Sequence, residues 1–344
     1  MAINSFSNGN FINSLQAAGK NAIINGGFDI WQRGTSIALA ASTVAANGYS
    51  ADRWCTLTNA NQAITISRQV TGDTTNLPNI QYCARYQRNS GQTGTAALYF
   101  AHSIETTNSL PMAGQTVTVS FYARRGTNYS PTSNALAFYV QTGTGTDQNQ
   151  PAGYTGAANI VNSSATLTTT WQRFTATGTI GATATEIAVL FGYTPTGTAG
   201  AADYFEVTGV QLELGTTATT FSRAGGTIQG ELAACRRYYI RFGTGSNYTP
   251  YGTGWNSSTS AGQAVVMLPV TMRVEPTSVE YSALSSTVPG VSEAAITTVT
   301  LSSDASGADS VTLATSSSAA FTAGFFALTN KANTTGYLAL NAEL

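Results

Sequence analysis

Between Gln115 and Ala123 the chain alternates without a break, with Val117, Val119 and Phe121 on one side and Thr116, Thr118 and Ser120 on the other. Successive side chains of a strand point to opposite faces, so this pattern describes an extended segment with one face buried. Thr185–Tyr193 repeats it with Ile187, Val189 and Phe191. Similar segments are Ala22–Trp31, Tyr49–Leu57, Ala63–Val70, Ile80–Arg88, Ala97–Glu105, Ala135–Gln141, Trp171–Thr177 and Tyr204–Leu214, parted by clusters of Gly, Asn, Thr and Pro. Strand after strand with no helical pattern between them predicts antiparallel sheets in a sandwich or jelly roll.

The period changes once. Ile228, Leu232, Cys235 and Tyr239 follow helical spacing, with Thr227 placed as N-cap and Arg236 and Arg237 suited to the C-terminal end. Strand patterns then return in Ala264–Val274, Ser278–Tyr281, Ile296–Leu301, Ser310–Ala314, Ala319–Ala327 and Gly336–Leu344. Pro269 and Pro276 belong at a sheet edge or strand end, because proline donates nothing to a ladder. The expected chain is therefore all-β. It has an arm over residues 1–20, an antiparallel jelly-roll sandwich over 21–225, a short linker helix over 226–239 and a small C-terminal β-sandwich over 240–344.

Composition narrows the partners. Charged residues are 9% of the chain, against roughly 25% in an ordinary soluble domain. Thr, Ser, Gly, Ala and Asn stand in their place, which favours strands and tight turns over helices. A net charge of −1 provides no basic stripe for phosphates, so no nucleic-acid partner is expected. No long apolar run or polybasic segment suggests membrane insertion, and the N-terminus shows no secretory signal pattern. Cys55, Cys83 and Cys235 make neither a disulfide framework nor a CxxC metal site. They are expected as buried small hydrophobes, with a Cys55–Cys83 bridge as the alternative.

Catalytic chemistry finds little to use. His102 is the single histidine, in the strand-like run Ala97–Glu105, and is expected to be structural. A glycosidase would need only two carboxylates across a cleft. Asp29, Asp52, Asp203, Glu206 and Glu213 are available, but no pattern pairs them, and Asp52 beside Arg53 suggests a local ion pair or turn. The chain is therefore expected not to be an enzyme, with no catalytic residue, metal or cofactor assigned.

The aromatic residues say more. Trp31, Trp54 and Trp171 fall in strand patterns and belong in a core. Tyr248, Tyr251 and Trp255 lie in the turn-rich stretch Gly243–Gly262, and Tyr129, Tyr154 and Tyr193 lie in similar Gly/Thr-rich surroundings. Aromatic rings on loops beside amides and hydroxyls can stack on the apolar face of a sugar. These six residues are the candidate glycan contacts. The alternative is packing against a neighbouring subunit.

Asn21-Ala-Ile-Ile-Asn-Gly-Gly-Phe-Asp-Ile-Trp-Gln-Arg-Gly34, followed by Gly48-Tyr-Ser-Ala-Asp-Arg-Trp54, resembles the opening of a family of phage tail-fibre and virion structural proteins. Thr170-Trp-Gln-Arg-Phe174, Gly209-Val-Gln-Leu-Glu-Leu-Gly215, Gly230-Glu-Leu-Ala-Ala-Cys-Arg-Arg-Tyr-Tyr239 and the closing Tyr337-Leu-Ala-Leu-Asn-Ala-Glu-Leu344 follow in the family's order. The resemblance implies a jelly roll similar to carbohydrate-binding modules, then a helix and a compact β-domain. In such modules a GxFE strand and an acidic residue of the final strand can hold a structural calcium. Gly27-Phe28-Asp29 matches the first part, but Val207-Thr-Gly-Val210 stands where the acidic residue is sought, so no calcium is assigned. The resemblance further implies a virion protein, a tail-fibre or appendage subunit attached to other virion proteins through residues 1–20. It would be a homo-oligomer, a trimer by family analogy, reaching a host-surface glycan. A capsid decoration protein without a receptor role and a free glycan-binding module are the alternatives.

Overall fold

The computed structural model describes residues 19–41, 46–58, 62–243, 246–288, 292–302, 306–318, 321–330 and 335–344. The expected arm, residues 1–20, lies outside the described residues except for Gly19 and Lys20. The chain divides into two compact units, the second running from Cys235 to Glu343. The division falls inside the helix Ile228–Arg236, which is shorter than the expected 226–239. Thr227 caps that helix as predicted, its hydroxyl accepting from the Gly230 N–H at 3.1 Å.

The described strands of the first unit are β1 (Ser36–Leu39), β2 (Ala46–Tyr49), β3 (Trp54–Thr58), β4 (Ile64–Val70), β5 (Tyr82–Arg88) and β6 (Leu98–Ile104), then β7 (Thr116–Arg125), β8 (Ala135–Gly143), β9 (Ala158–Thr166), β10 (Gln172–Thr179), β11 (Glu186–Tyr193) and β12 (Tyr204–Leu214). They form two six-stranded antiparallel sheets, in the orders β1-β4-β5-β12-β7-β10 and β2-β3-β6-β11-β8-β9. The jelly-roll sandwich is thus present. Its core is aromatic: Trp54 stacks on Phe100 at 4.8 Å, Phe121 meets Phe191 edge-on at 4.8 Å, and Tyr86 stacks on Phe205 at 5.4 Å. Such pairs add roughly 0.5–1.5 kcal/mol each beyond burial.

One expected strand is a run of turns. Residues 22–31 do not pair as a strand, because asparagine side chains supply the hydrogen bonds that a ladder would have supplied. Asn21 Nδ2 donates to the carbonyls of Val210 and Ser222, both at 3.0 Å. Asn25 accepts from the Ile30 N–H at 3.0 Å and donates to the Ile30 and Asp52 carbonyls. Gly26 is required here, since an added Cβ would lie 2.0 Å from the Val210 carbonyl oxygen. Phe28, at φ 56°, then drops into the core against Trp54.

Two single groups in this core give testable consequences. Tyr86 is fully buried with its hydroxyl unpartnered, and burial raises that hydroxyl's pKa. An orphan hydroxyl costs about 1–3 kcal/mol, so Tyr86→Phe should raise the thermal midpoint by a few degrees. A lower midpoint in calorimetry would contradict this. His102 is buried edge-on to Trp54 at 5.4 Å, and burial, then Arg53, hold its pKa well below the ordinary imidazole value. The unfolded imidazole gains a proton near pH 6.5 while the folded one stays neutral. Its contribution is therefore full above about pH 6.5 and is lost as pH falls toward the folded pKa. Urea midpoints should drop on acidification toward about pH 5, and His102→Leu should flatten the drop; parallel pH profiles would refute the assignment.

Cys55 and Cys83 form no disulfide; they lie in β3 and β5, on different sheets, and like Cys235 they are buried. The candidate carboxylates serve as structural acceptors. Asp29 accepts from Arg223 Nε at 2.8 Å, and Asp52, in a turn with Arg53, accepts from the Gln32 N–H and side-chain amide. Glu206 is bracketed by Arg85 and Arg124, and Glu213 by Gln211 and Thr219. Asp203 pairs with Arg88 at 3.1 Å, both fully buried.

The described strands of the second unit are β13 (Tyr239–Phe242), β14 (Pro250–Asn256), β15 (Ala261–Met267), β16 (Ser278–Ser282) and β17 (Leu284–Val288), then β18 (Ser292–Ala295), β19 (Thr298–Leu301), β20 (Ser310–Ser316), β21 (Gly324–Asn330) and β22 (Tyr337–Asn341). A three-stranded sheet, β13-β22-β16, faces a seven-stranded one, β18-β17-β21-β14-β15-β20-β19, across a core that includes Leu284, Leu313, Phe326, Leu328, Leu338 and Leu340. The small second sandwich is present. Pro269 and Pro276 lie just beyond strand ends, after β15 and before β16. The turn-rich stretch Gly243–Gly262 is corrected, however: most of Pro250–Asn256 is a central strand. Its glycines thin the inner face, where a Cβ on Gly254 would stand 2.6 Å from the Phe326 ring.

Candidate functional site

The outer face of the sheet β2-β3-β6-β11-β8-β9 carries a cleft of about 370 Å³ lined by Leu57, Tyr99, Tyr139, Gln141, Gln150, Asn159, Asn162 and Leu190. Strand phase decides which side chains reach it. Leu98 and Phe100 of β6 point into the core, so Tyr99 points out; Leu136, Phe138 and Val140 of β8 do the same for Tyr139. Strand β11 lies between β6 and β8 and sets Gly192 opposite Tyr99 on one side and Ala137 on the other. A Cβ at Gly192 would lie 3.3 Å from Tyr99 Cε1, Tyr139 Cε2 and Ala137 Cβ. Both rings therefore lean over the glycine from opposite sides, half-buried. Small residues keep the floor low: Ala101 and Ala188 pack with Leu190 and Tyr154 beneath Tyr139.

Amides border the aromatic floor. Gln150 Nε2 donates to Gln141 Oε1 at 3.0 Å, and Gln141 Nε2 donates to Asn159 Oδ1 at 3.0 Å. Asn162 sits opposite Tyr139 in the pairing of β8 with β9. The loop carrying Gln150 is pinned by its own N–H, which donates to Ser103 Oγ at 2.9 Å. All lining side chains are aromatic, aliphatic or amide, so the cleft carries no formal charge. Burial, with Tyr99 alongside, raises the Tyr139 hydroxyl above its ordinary pKa, which keeps it a neutral donor. Flat apolar rings beside fixed amides can take a ring with an apolar face and a hydroxyl rim.

The structure redistributes the six sequence candidates. Tyr129 and Tyr193 are corrected as glycan contacts: both are buried, with rings 5.3 Å apart. Tyr129 donates to the Ala135 carbonyl and Tyr193 to Asp203. Tyr154 is also corrected, being buried below the cleft with its hydroxyl on the Ile187 carbonyl at 3.2 Å. Tyr251 is a fourth correction, buried in the second unit with its hydroxyl on the Gly336 carbonyl. Tyr248 and Trp255 are exposed in that unit; the Tyr248 hydroxyl bonds to Glu293, which raises its pKa. None of the six lines the cleft. A detectable signal for Tyr99 and Tyr139 was present, since each is an aromatic at an outward position of a well-marked strand.

The described residues thus define a β-sandwich protein with an uncharged, aromatic-floored cleft on one sheet. No family model matches the sequence, and no curated protein matches it. Among solved structures the chain is similar to a CBM4 protein at 18% identity and a TM-score of 0.31, covering 56% of this chain and 99% of that one. It is similar to the CBM22-1–GH10 modules of Clostridium thermocellum xylanase 10B, complexed with xylohexaose, at 12% identity and a TM-score of 0.31, covering 48% and 26%. The enzymatically active domain of bacteriophage CBA120 tailspike protein 4 matches at 14% identity and a TM-score of 0.30, covering 57% of this chain and 21% of that one.

Proposed function

We propose that this chain is a non-catalytic structural protein of a bacteriophage virion, a tail-fibre or appendage subunit, whose cleft holds a host-surface glycan. The glycan reading rests on one observation: two half-buried tyrosine rings lean over Gly192 beside a hydrogen-bonded row of amides. A pyranose offers its C–H face to such rings and its hydroxyls to such amides. The absence of charge in the lining favours a neutral sugar over an acidic one, because a carboxylate would be desolvated there without a partner. The volume, about 370 Å³, is at the small end for a ligand site and suits one or two sugar rings. The virion reading is supported by the ordered sequence motifs from Asn21 to Leu344.

Two measurements test it together. Binding of the whole chain to a panel of host-surface glycans should be detectable and should fail with Tyr99→Ala plus Tyr139→Ala. Antibody against the chain should label purified phage particles at a copy number on the scale of a tail organelle. Glycan binding without particle association would sink the virion part and leave a free glycan-binding module. A copy number on the scale of the capsid lattice would indicate a decoration protein.

A further inference from the structure

The second unit turns one face of its seven-stranded sheet to solvent, and that face is apolar at its centre. Phe325 is 78% exposed, Met267 72%, Trp255 48% and Val265 45%. These residues lie on the three adjacent strands β21, β14 and β15, with Phe325 directly opposite Trp255 and Thr253 opposite Val265. Trp255 and Phe325 meet edge-on at 4.9 Å, leaving much of both rings open. Burying such side chains is favourable, so their joint exposure is a standing driving force for association.

Charge and layout narrow the occupant. Strands β14, β15, β20 and β21 contain no Asp, Glu, Lys or Arg at all. A partner with a charged surface would lose hydration against them and gain no counter-charge. A second face of the same kind meets no such cost. The patch also has two unlike halves, aromatic on β14 and β21 and aliphatic on β15. Rotating a second copy sets the aromatic half of each chain on the Val265–Met267 half of the other, and thioether–ring contacts are favourable. The margins are polar, as at an interface rim: Glu293 accepts from Ser285 at 2.6 Å on one side, and Thr298 and Thr300 are exposed on the other.

We infer that this face is the contact by which copies of this chain associate, with Phe325 and Trp255 of one packed on Val265 and Met267 of the next. The inference is independent of the glycan cleft, which lies in the other unit. Sedimentation equilibrium of the whole chain should give a mass of two or more chains. Phe325→Glu and Met267→Lys should each reduce it to a single chain while the far-UV spectrum stays unchanged. A single-chain mass for the wild type would overturn the inference. So would an oligomer that survives both substitutions, or one that Thr300→Glu at the rim dissociates equally well.

Discussion

Replacing Asp203 by alanine should cost the first unit about 3–5 kcal/mol and lower its thermal midpoint by roughly 10 °C. The carboxylate is fully buried and accepts from Arg88 Nη1 at 3.1 Å, from the Ser130 N–H at 2.9 Å and from the Tyr193 hydroxyl. Arg88, equally buried, also donates to the carbonyls of Gln92, Gly94 and Gly197. The pair therefore ties the loop segments at Gln92–Gly94, Ser130 and Gly197 to the end of β5. Without Asp203 the guanidinium stays buried without its counter-charge, and that penalty exceeds the net worth of the pair. Arg88→Met together with Asp203→Leu should recover part of the loss, because no lone charge then remains. Calorimetry decides it: a fall below about 1 kcal/mol for Asp203→Ala would show that the site relaxes or admits water.

Removal of either cleft tyrosine should weaken glycan binding about tenfold or more, equivalent to about 1.4 kcal/mol, and removal of both should abolish it. Tyr99 and Tyr139 supply the two flat surfaces, whereas the amides supply orientation. Both rings stand on the outer face, so truncation leaves the aromatic core intact and the midpoint nearly unchanged. Gly192→Val should weaken binding by a different route, since its branches would enter the gap between Tyr99 and Tyr139. Tyr248→Ala, in the other unit, should leave affinity unchanged. Titration calorimetry with a glycan that binds the wild type would show it, and equal affinity for Tyr99→Ala would place the ligand elsewhere.

Much of the fold is legible because strand phase is local. Val117, Val119 and Phe121 are buried as their alternation requires, and the change of period at Thr227 does mark a helix. The failures share a cause. Residues 22–31 have strand-like alternation, yet Asn21 and Asn25 satisfy the backbone from their side chains and hold it in turns. Pro250–Asn256 has turn-like glycines, yet they are where Phe326 and a neighbouring strand press close. A glycine written for a turn and one written for close approach look identical in one dimension.

The candidate site shows the same division. Aromatics in Gly/Thr-rich surroundings suggested surface rings, but Tyr129, Tyr154, Tyr193 and Tyr251 are buried, each with its hydroxyl bonded within the protein. By itself the sequence determined that the chain is all-β, poor in charge and divided near residue 230, because composition and periodicity act over neighbouring residues. Tyr99 and Tyr139 were not among its candidates, although both fall in strands that it placed, Ala97–Glu105 and Ala135–Gln141. Only the tertiary structure decided that they face each other. That depends on β11 inserting between β6 and β8 and on Gly192 falling at their level, a sheet order and register set by packing across the whole sandwich.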